Sequence, residues 1–210
     1  PESYAEDVHL AESRNTPEGK AELYANLRAA AASGWDFSSR WYEEEGRFAS
    51  TQTIELLPVD LNALLYGMEV FLAEGYASKG DEATALRMRE RSEQRAAMIR
   101  DRMWDPEAGF FVDYDFADGE RSEELTLAGV FPLYFGLADA RQAEAVRDRL
   151  MDDFLAAGGL LTTLKDSGQQ WDAPNGWAPL QWMAVVGLGN YGYQQEAGTI
   201  ARRWLRLNEK

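Results

Sequence analysis

The sequence contains no cysteine and a single histidine, His9. Without cysteine there is no disulfide framework, no thiol nucleophile and no zinc–thiolate site. One histidine cannot build a histidine-based metal cluster, and His9 lies among polar residues near the chain start, where it reads as a surface residue. The lack of cysteine leaves the compartment open between periplasm and cytoplasm. Basic residues are also scarce: 21 Lys and Arg stand against 36 Asp and Glu, a formal net charge of -15. Such a surface repels nucleic acid and anionic membrane, so neither is expected as a partner, whereas a neutral substrate is compatible with it. No run approaches the roughly 20 apolar residues that a membrane span requires.

What is present is a succession of helices. Lys20 to Ala32 is rich in Ala, Leu, Glu and Arg, and Thr16-Pro17-Glu18 before it supplies an N-cap with proline in the first turn. Pro58 to Tyr76 sets Leu61, Leu64, Leu65, Met68, Phe71 and Leu72 at helical spacing. Further helices are expected over Asp81–Met103, Glu123–Leu137, Ala140–Leu155, Ala178–Tyr191 and Gln194–Leu207. Strands are limited to a short piece around Phe110 to Asp115. Apolar helices (58–76, 123–137, 178–191) alternate with charged ones, the pattern of an inner and an outer helical ring. The fold expected is therefore all-α, part of an (α/α)6 toroid. Trp-Asp recurs three times, 69 residues apart (35 to 104) and then 67 (104 to 171), a spacing compatible with a two-helix repeat. The chain begins at Pro1 without Met and stops at Lys210 just after an amphipathic stretch, so residues 1–210 read as one segment of a larger domain, truncated at both ends.

Two strings carry chemistry. Gln170 to Pro179 packs Trp171, Asp172, Asn175, Gly176, Trp177 and two prolines into ten residues. Indole faces stack on a pyranose ring while the polar groups bind its hydroxyls, and proline and glycine preorganise the loop. A turn carrying core tryptophans is the alternative. The second string, Ala32-Ser33-Gly34-Trp35-Asp36-Phe37-Ser38-Ser39-Arg40-Trp41, sets a carboxyl between aromatics just past a helix end. Desolvation there would raise the Asp36 pKa, as a general acid needs. Pairing with Arg40 would lower it, and the residue types alone leave both open. Asp105 reads as a loop cap, Glu43-Glu44-Glu45 as a solvated run, and Asp60 and Asn62 as caps or pocket lining at a helix start.

Both strings resemble signatures of the trehalases of glycoside hydrolase family 37, and Pro1-Glu2-Ser3-Tyr4 resembles a third. The resemblance implies hydrolysis of α,α-trehalose, a disaccharide, by an inverting mechanism with no metal or organic cofactor. It implies Asp36 as the general acid. Glu2, Gly34, Arg40, Trp171, Asn175 and Trp177 are implied as substrate-binding residues, without settling which Trp stacks on the sugar. The family's general base, a Glu in a Glu-Lys-Tyr segment, would lie past Lys210, and the isolated chain is accordingly expected to be inactive. The rival readings are another (α/α)6 disaccharide glycosidase and an inactive sugar-binding remnant.

Overall fold

A computed structural model describes residues 5–44 and 46–209. The first helices are α1 (Ala5–Ala11) and α2 (Pro17–Ser33). The Thr16 hydroxyl accepts from the Gly19 amide, Pro17 occupies the first turn, and α2 ends at Gly34 with φ 83°. A residue with a Cβ is strained in that left-handed conformation, so glycine makes the exit. Three short 3-10 turns and strand β1 (Leu56–Leu57) lead to α3 (Val59–Ser78) and α4 (Glu82–Met98). Strands β2 (Trp104–Asp105), β3 (Phe110–Phe111), β4 (Tyr114–Asp115) and β5 (Glu120–Arg121) follow. They form an antiparallel β2–β3 hairpin and an antiparallel sheet in the order β1-β4-β5. The remaining elements are α5 (Phe131–Tyr134), α6 (Ala140–Arg149), the hairpin of β6 (Leu155–Ala156) and β7 (Gly159–Leu160), α7 (Ala178–Asn190) and α8 (Gln194–Asn208).

The alternation of apolar and charged helices becomes two layers. Helices α3, α5 and α7 pack side by side in the inner layer, while α4 lies against α3 and α8 against α7. Glu69 fixes the α3–α4 contact: it is buried and accepts two bonds of 2.9 Å from the Arg95 guanidinium. The core between the layers includes Phe110 stacked on Phe154 at 5.5 Å, with Ile99, Met103, Leu127, Leu133 and Leu150 fully buried around them.

The expected helix Glu123–Leu137 is shorter than its composition indicates. Thr126 is extended and bridges to Thr163, so the Leu127 amide donates to Thr162 rather than into a helix. A 3-10 turn over Leu127–Val130 then passes into α5, where Pro132 is tolerated in the first turn. The two long charged helices also differ from expectation at their ends. Each closes in a π turn, Ile99–Met103 and Leu150–Phe154, and runs straight into a two-residue hairpin strand. In both, the amide just past the second hairpin strand returns to the last π residue: Val112 to Met103 at 2.8 Å and Leu161 to Phe154 at 2.9 Å. This is the internal repeat, and it is not the one that Trp-Asp marks. Trp104-Asp105 is in such a hairpin, whereas Trp35-Asp36 and Trp171-Asp172 are in loops. Among the described residues no helix is long and apolar enough to cross a membrane. His9 is exposed on α1 beside Glu12.

Candidate active site

The string containing Asp36 leaves α2 at Gly34 and meets the start of α3 and the loop that precedes α7. Its shape is set from within. The Trp35 amide donates to the Ser33 hydroxyl, the Trp41 indole N–H to the Trp35 carbonyl at 2.9 Å, and the Arg40 amide to the Ser38 hydroxyl. Asp36 is half-buried, with Trp35 buried before it and Ser38 buried after it.

Arg40 does not pair with Asp36; its partners are two other carboxylates. Its side chain is 1% exposed and lies between the rings of Trp35 (4.5 Å) and Trp41 (4.4 Å). Four charge-assisted bonds of 2.7–2.9 Å run from it to Asp60 on α3 and to Asp113 between β3 and β4. A planar guanidinium satisfies two carboxylates and two indole faces at once. Burial opposes its charge, but Asp113 and Asp60 outweigh that and hold the guanidinium above its usual pKa. Burial pushes Asp60 up in turn, and Arg40 reverses this and keeps Asp60 below the ordinary carboxylate range. Asp113 also accepts from the first amide of α3, that of Val59, where a carboxylate complements the helix dipole. Arg40 therefore locks the Asp36 loop onto the start of α3. Asp60 and Asn62 are satisfied internally: Asp60 also accepts from the Leu61 amide, while Asn62 bonds Arg95 and the Pro58 carbonyl.

The tryptophan string is brought to the same place. Gln170 donates through Nε2 to the Asp36 carbonyl, a contact 134 residues apart in sequence, and the Trp171 amide donates to the Phe37 carbonyl at 3.1 Å. The indoles continue the column that Arg40 begins. Trp35 meets Trp171 at 5.2 Å, and Trp171 stacks on Trp177 at 4.3 Å with 8° between planes. Trp171 thus lies between two other indoles, and Trp177 ends the stack. Asn175 is exposed next to them, with its backbone carbonyl held by Thr162. At Gly176 an added Cβ would come within 2.8 Å of the Leu160 carbonyl, so only glycine lets the loop lie this close to β7. The Gln181 amide, in α7, accepts from the Leu160 amide and donates to its carbonyl, in place of a neighbouring strand. Glu2 lies outside the described residues.

The sequence reads Asp172, with Asn175, as one of the polar groups suited to sugar hydroxyls, and the fold turns it inward instead. Asp172 is fully buried and accepts five hydrogen bonds, from the Ser38 hydroxyl, the Ser39 amide and hydroxyl, and the hydroxyls of Thr163 and Ser167. Its position beside Trp171 hides this role: nothing in one string indicates that its acid is bonded to the serines of the other. Asp105, by contrast, caps its own loop as expected, accepting from the Glu107 and Ala108 amides.

The Trehalase family model matches residues 1–210. Among solved structures, the chain is similar to the neutral trehalase Nth1 of Saccharomyces cerevisiae, with a TM-score of 0.79 and 28% identity. That match covers 92% of this chain and 37% of the yeast protein. The mannosylglycerate hydrolase of Thermus thermophilus, from glycoside hydrolase family 63, shares the fold with a TM-score of 0.67 at 23% identity. There the match covers 73% of this chain and 38% of the other. The 210 residues therefore correspond to well under half of the length of these relatives.

Proposed function

The chain belongs to the trehalase family, and from that membership we propose that it supplies the general-acid side of a site that hydrolyses α,α-trehalose to two glucoses. A glycoside hydrolase function follows from the family and from the glycosidase neighbours. Trehalose as substrate and inversion as stereochemistry are our assignments. They rest on family membership, and the observation that supports a single site is the direct tie between the Asp36 loop and the tryptophan loop through Gln170 and Trp171. This tie joins the backbone that carries Asp36 to the loop that carries the stacked indoles.

In this reading Asp36 protonates the glycosidic oxygen as the bond to the anomeric carbon breaks. A Glu outside these 210 residues takes a proton from water attacking the opposite face. An inverting pair needs about 6.5–9.5 Å between carboxyls to hold that water. Trp177, at the end of the indole stack, is assigned to the sugar face, and Trp171 to its support. Gly34 and Asn175 border the same loops, and Glu2 remains a proposed hydroxyl ligand. Arg40 is reassigned from the sugar to the interior.

The test uses the enzyme with its whole catalytic domain and a panel of trehalose, maltose and kojibiose. Trehalose alone should be cleaved, and proton NMR at early times should show one α- and one β-glucose per turnover. Cleavage of maltose or kojibiose at a comparable rate would point to another disaccharidase. Two α-glucoses per turnover would rule out inversion.

A further inference from the structure

We propose that Asp172 is a positioning residue that sets the Asp36 loop and the tryptophan loop in register. This rests on the function proposed above and names a residue for it beyond the acid and the platform. Asp172 follows Trp171 directly, and its bonded partners Ser38 and Ser39 begin two residues after Asp36. Its five donors come from two stretches far apart in sequence: Ser38 and Ser39 of the Asp36 loop, and Thr163 and Ser167 of the long loop from β7 to α7 that also holds Asp172.

All five donors are neutral. A hydroxyl is a rotor that both donates and accepts, so serines and threonine packed together do not fix one another. An ionised carboxylate only accepts. Set in the middle, it forces four hydroxyls to point at it and leaves their lone pairs facing outward. The Ser38 oxygen uses one of these to take the Arg40 amide, which fixes the 3-10 turn Ser39–Trp41. A buried charge is costly unless hydrogen bonds saturate it, and here they do. The arrangement ties the backbone next to Asp36 and the backbone next to Trp171 to one group.

Replacing Asp172 by Asn keeps the shape and exchanges one acceptor for a donor. With the amide nitrogen at Oδ2, it opposes the Ser39 N–H, which has no other use for its proton. With the nitrogen at Oδ1, two amide protons serve three hydroxyls that had each donated there. Either way the register loosens. A misplacement of about 1 Å at a reacting group costs about 10²-fold in rate.

The experiment compares wild type, Asp172→Asn and Asp105→Asn in the enzyme carrying the whole catalytic domain. Asp105 caps a loop in the β2–β3 hairpin and serves as the control for losing a carboxylate cap. Three quantities are read: kcat and KM on trehalose, thermal melting, and the near-ultraviolet circular dichroism of the stacked indoles. Asp172→Asn should lose about 10²-fold in kcat, and its indole signal should change while the far-ultraviolet spectrum stays folded. Asp105→Asn should keep kcat and the indole signal. Should Asp172→Asn not fold, Ser39→Ala removes one of the five bonds and should cost about three- to tenfold in kcat. A folded Asp172→Asn with wild-type kcat and indole signal overturns the proposal, as does a folded Ser39→Ala with full kcat. If wild type itself leaves trehalose intact, the functional assignment fails. The indole signal, which needs no substrate, then decides the register proposal: a change in Asp172→Asn supports it and an unchanged spectrum overturns it.

Discussion

Asp36 and Arg40 are four residues apart and do different work. Asp36 is half-buried at the loop surface, and Arg40 is enclosed beneath it. Asp36→Asn keeps shape and volume but cannot give up a proton. In the complete enzyme we expect turnover on trehalose to fall by about 10²–10⁴-fold or more, with binding largely retained. Initial rates and inhibitor titration measure the two, and an Asn variant with over half of the wild-type kcat would remove Asp36 from the mechanism. The Arg40 pairs predict a pH dependence of stability. Asp60 is lowered in the fold against burial by Arg40, and Glu69 is lowered chiefly by its hydrogen bonds from Arg95. A carboxyl depressed in the fold adds stability above its unfolded value, about 3.9 for Asp and 4.3 for Glu, and loses it as pH falls through the lower folded value. Denaturant midpoints should therefore hold from neutral pH down to about 5 and drop steeply below about 4. A midpoint unchanged down to pH 3 would contradict the ion-paired reading of these groups.

At the scale of elements, the helices were legible because their signals are local. Thr16-Pro17 caps α2 as read, and the apolar periodicity of residues 58–76 falls on α3. The irregular pieces were not legible, for two physical reasons. Two-residue strands are too short to show a period, so the repeated π turn and hairpin left no pattern. Partners such as Asp113, 73 residues from Arg40, carry no mark that pairs them. The two strings themselves stand out in the sequence because their composition is unusual, but the partners of Arg40 and Asp172 are contacts across the fold. The turn before α5 shows how tightly these pieces meet. A Cβ on Gly129 would lie 2.3 Å from the Phe111 carbonyl and 2.4 Å from the Phe110 ring. Gly129→Ala should destabilise by about 1–3 kcal/mol or more, since both neighbours are in the buried core and have little room to move. Urea unfolding with an unchanged midpoint would show that β3 shifts freely.

For the molecule as a whole, the inner layer has an uncovered side. Leu61, Leu64, Met68 and Phe71 form a stripe along α3, with Phe71 72% exposed, and Trp182 of α7 is 63% exposed. Apolar stripes of this kind drive self-association even against a net charge of -15. The 210-residue chain expressed alone should elute from size-exclusion chromatography as oligomers or aggregates and release no glucose from trehalose. A monomer with activity would overturn both expectations. The distance along the chain between Asp36 and Gln170 also fixes when the site can exist. Synthesis runs from the N-terminus, and early segments fold before late ones emerge. The Arg40–Asp60–Asp113 cluster is complete once residue 113 has left the ribosome. Trp35 then waits without Trp171, and Ser38 and Ser39 without Asp172, until nearly sixty more residues have followed. A nascent chain stalled before Gln169 would thus carry Asp36 on an anchored loop that has nothing to close against, and the proposed site is among the last parts of these 210 residues to be assembled.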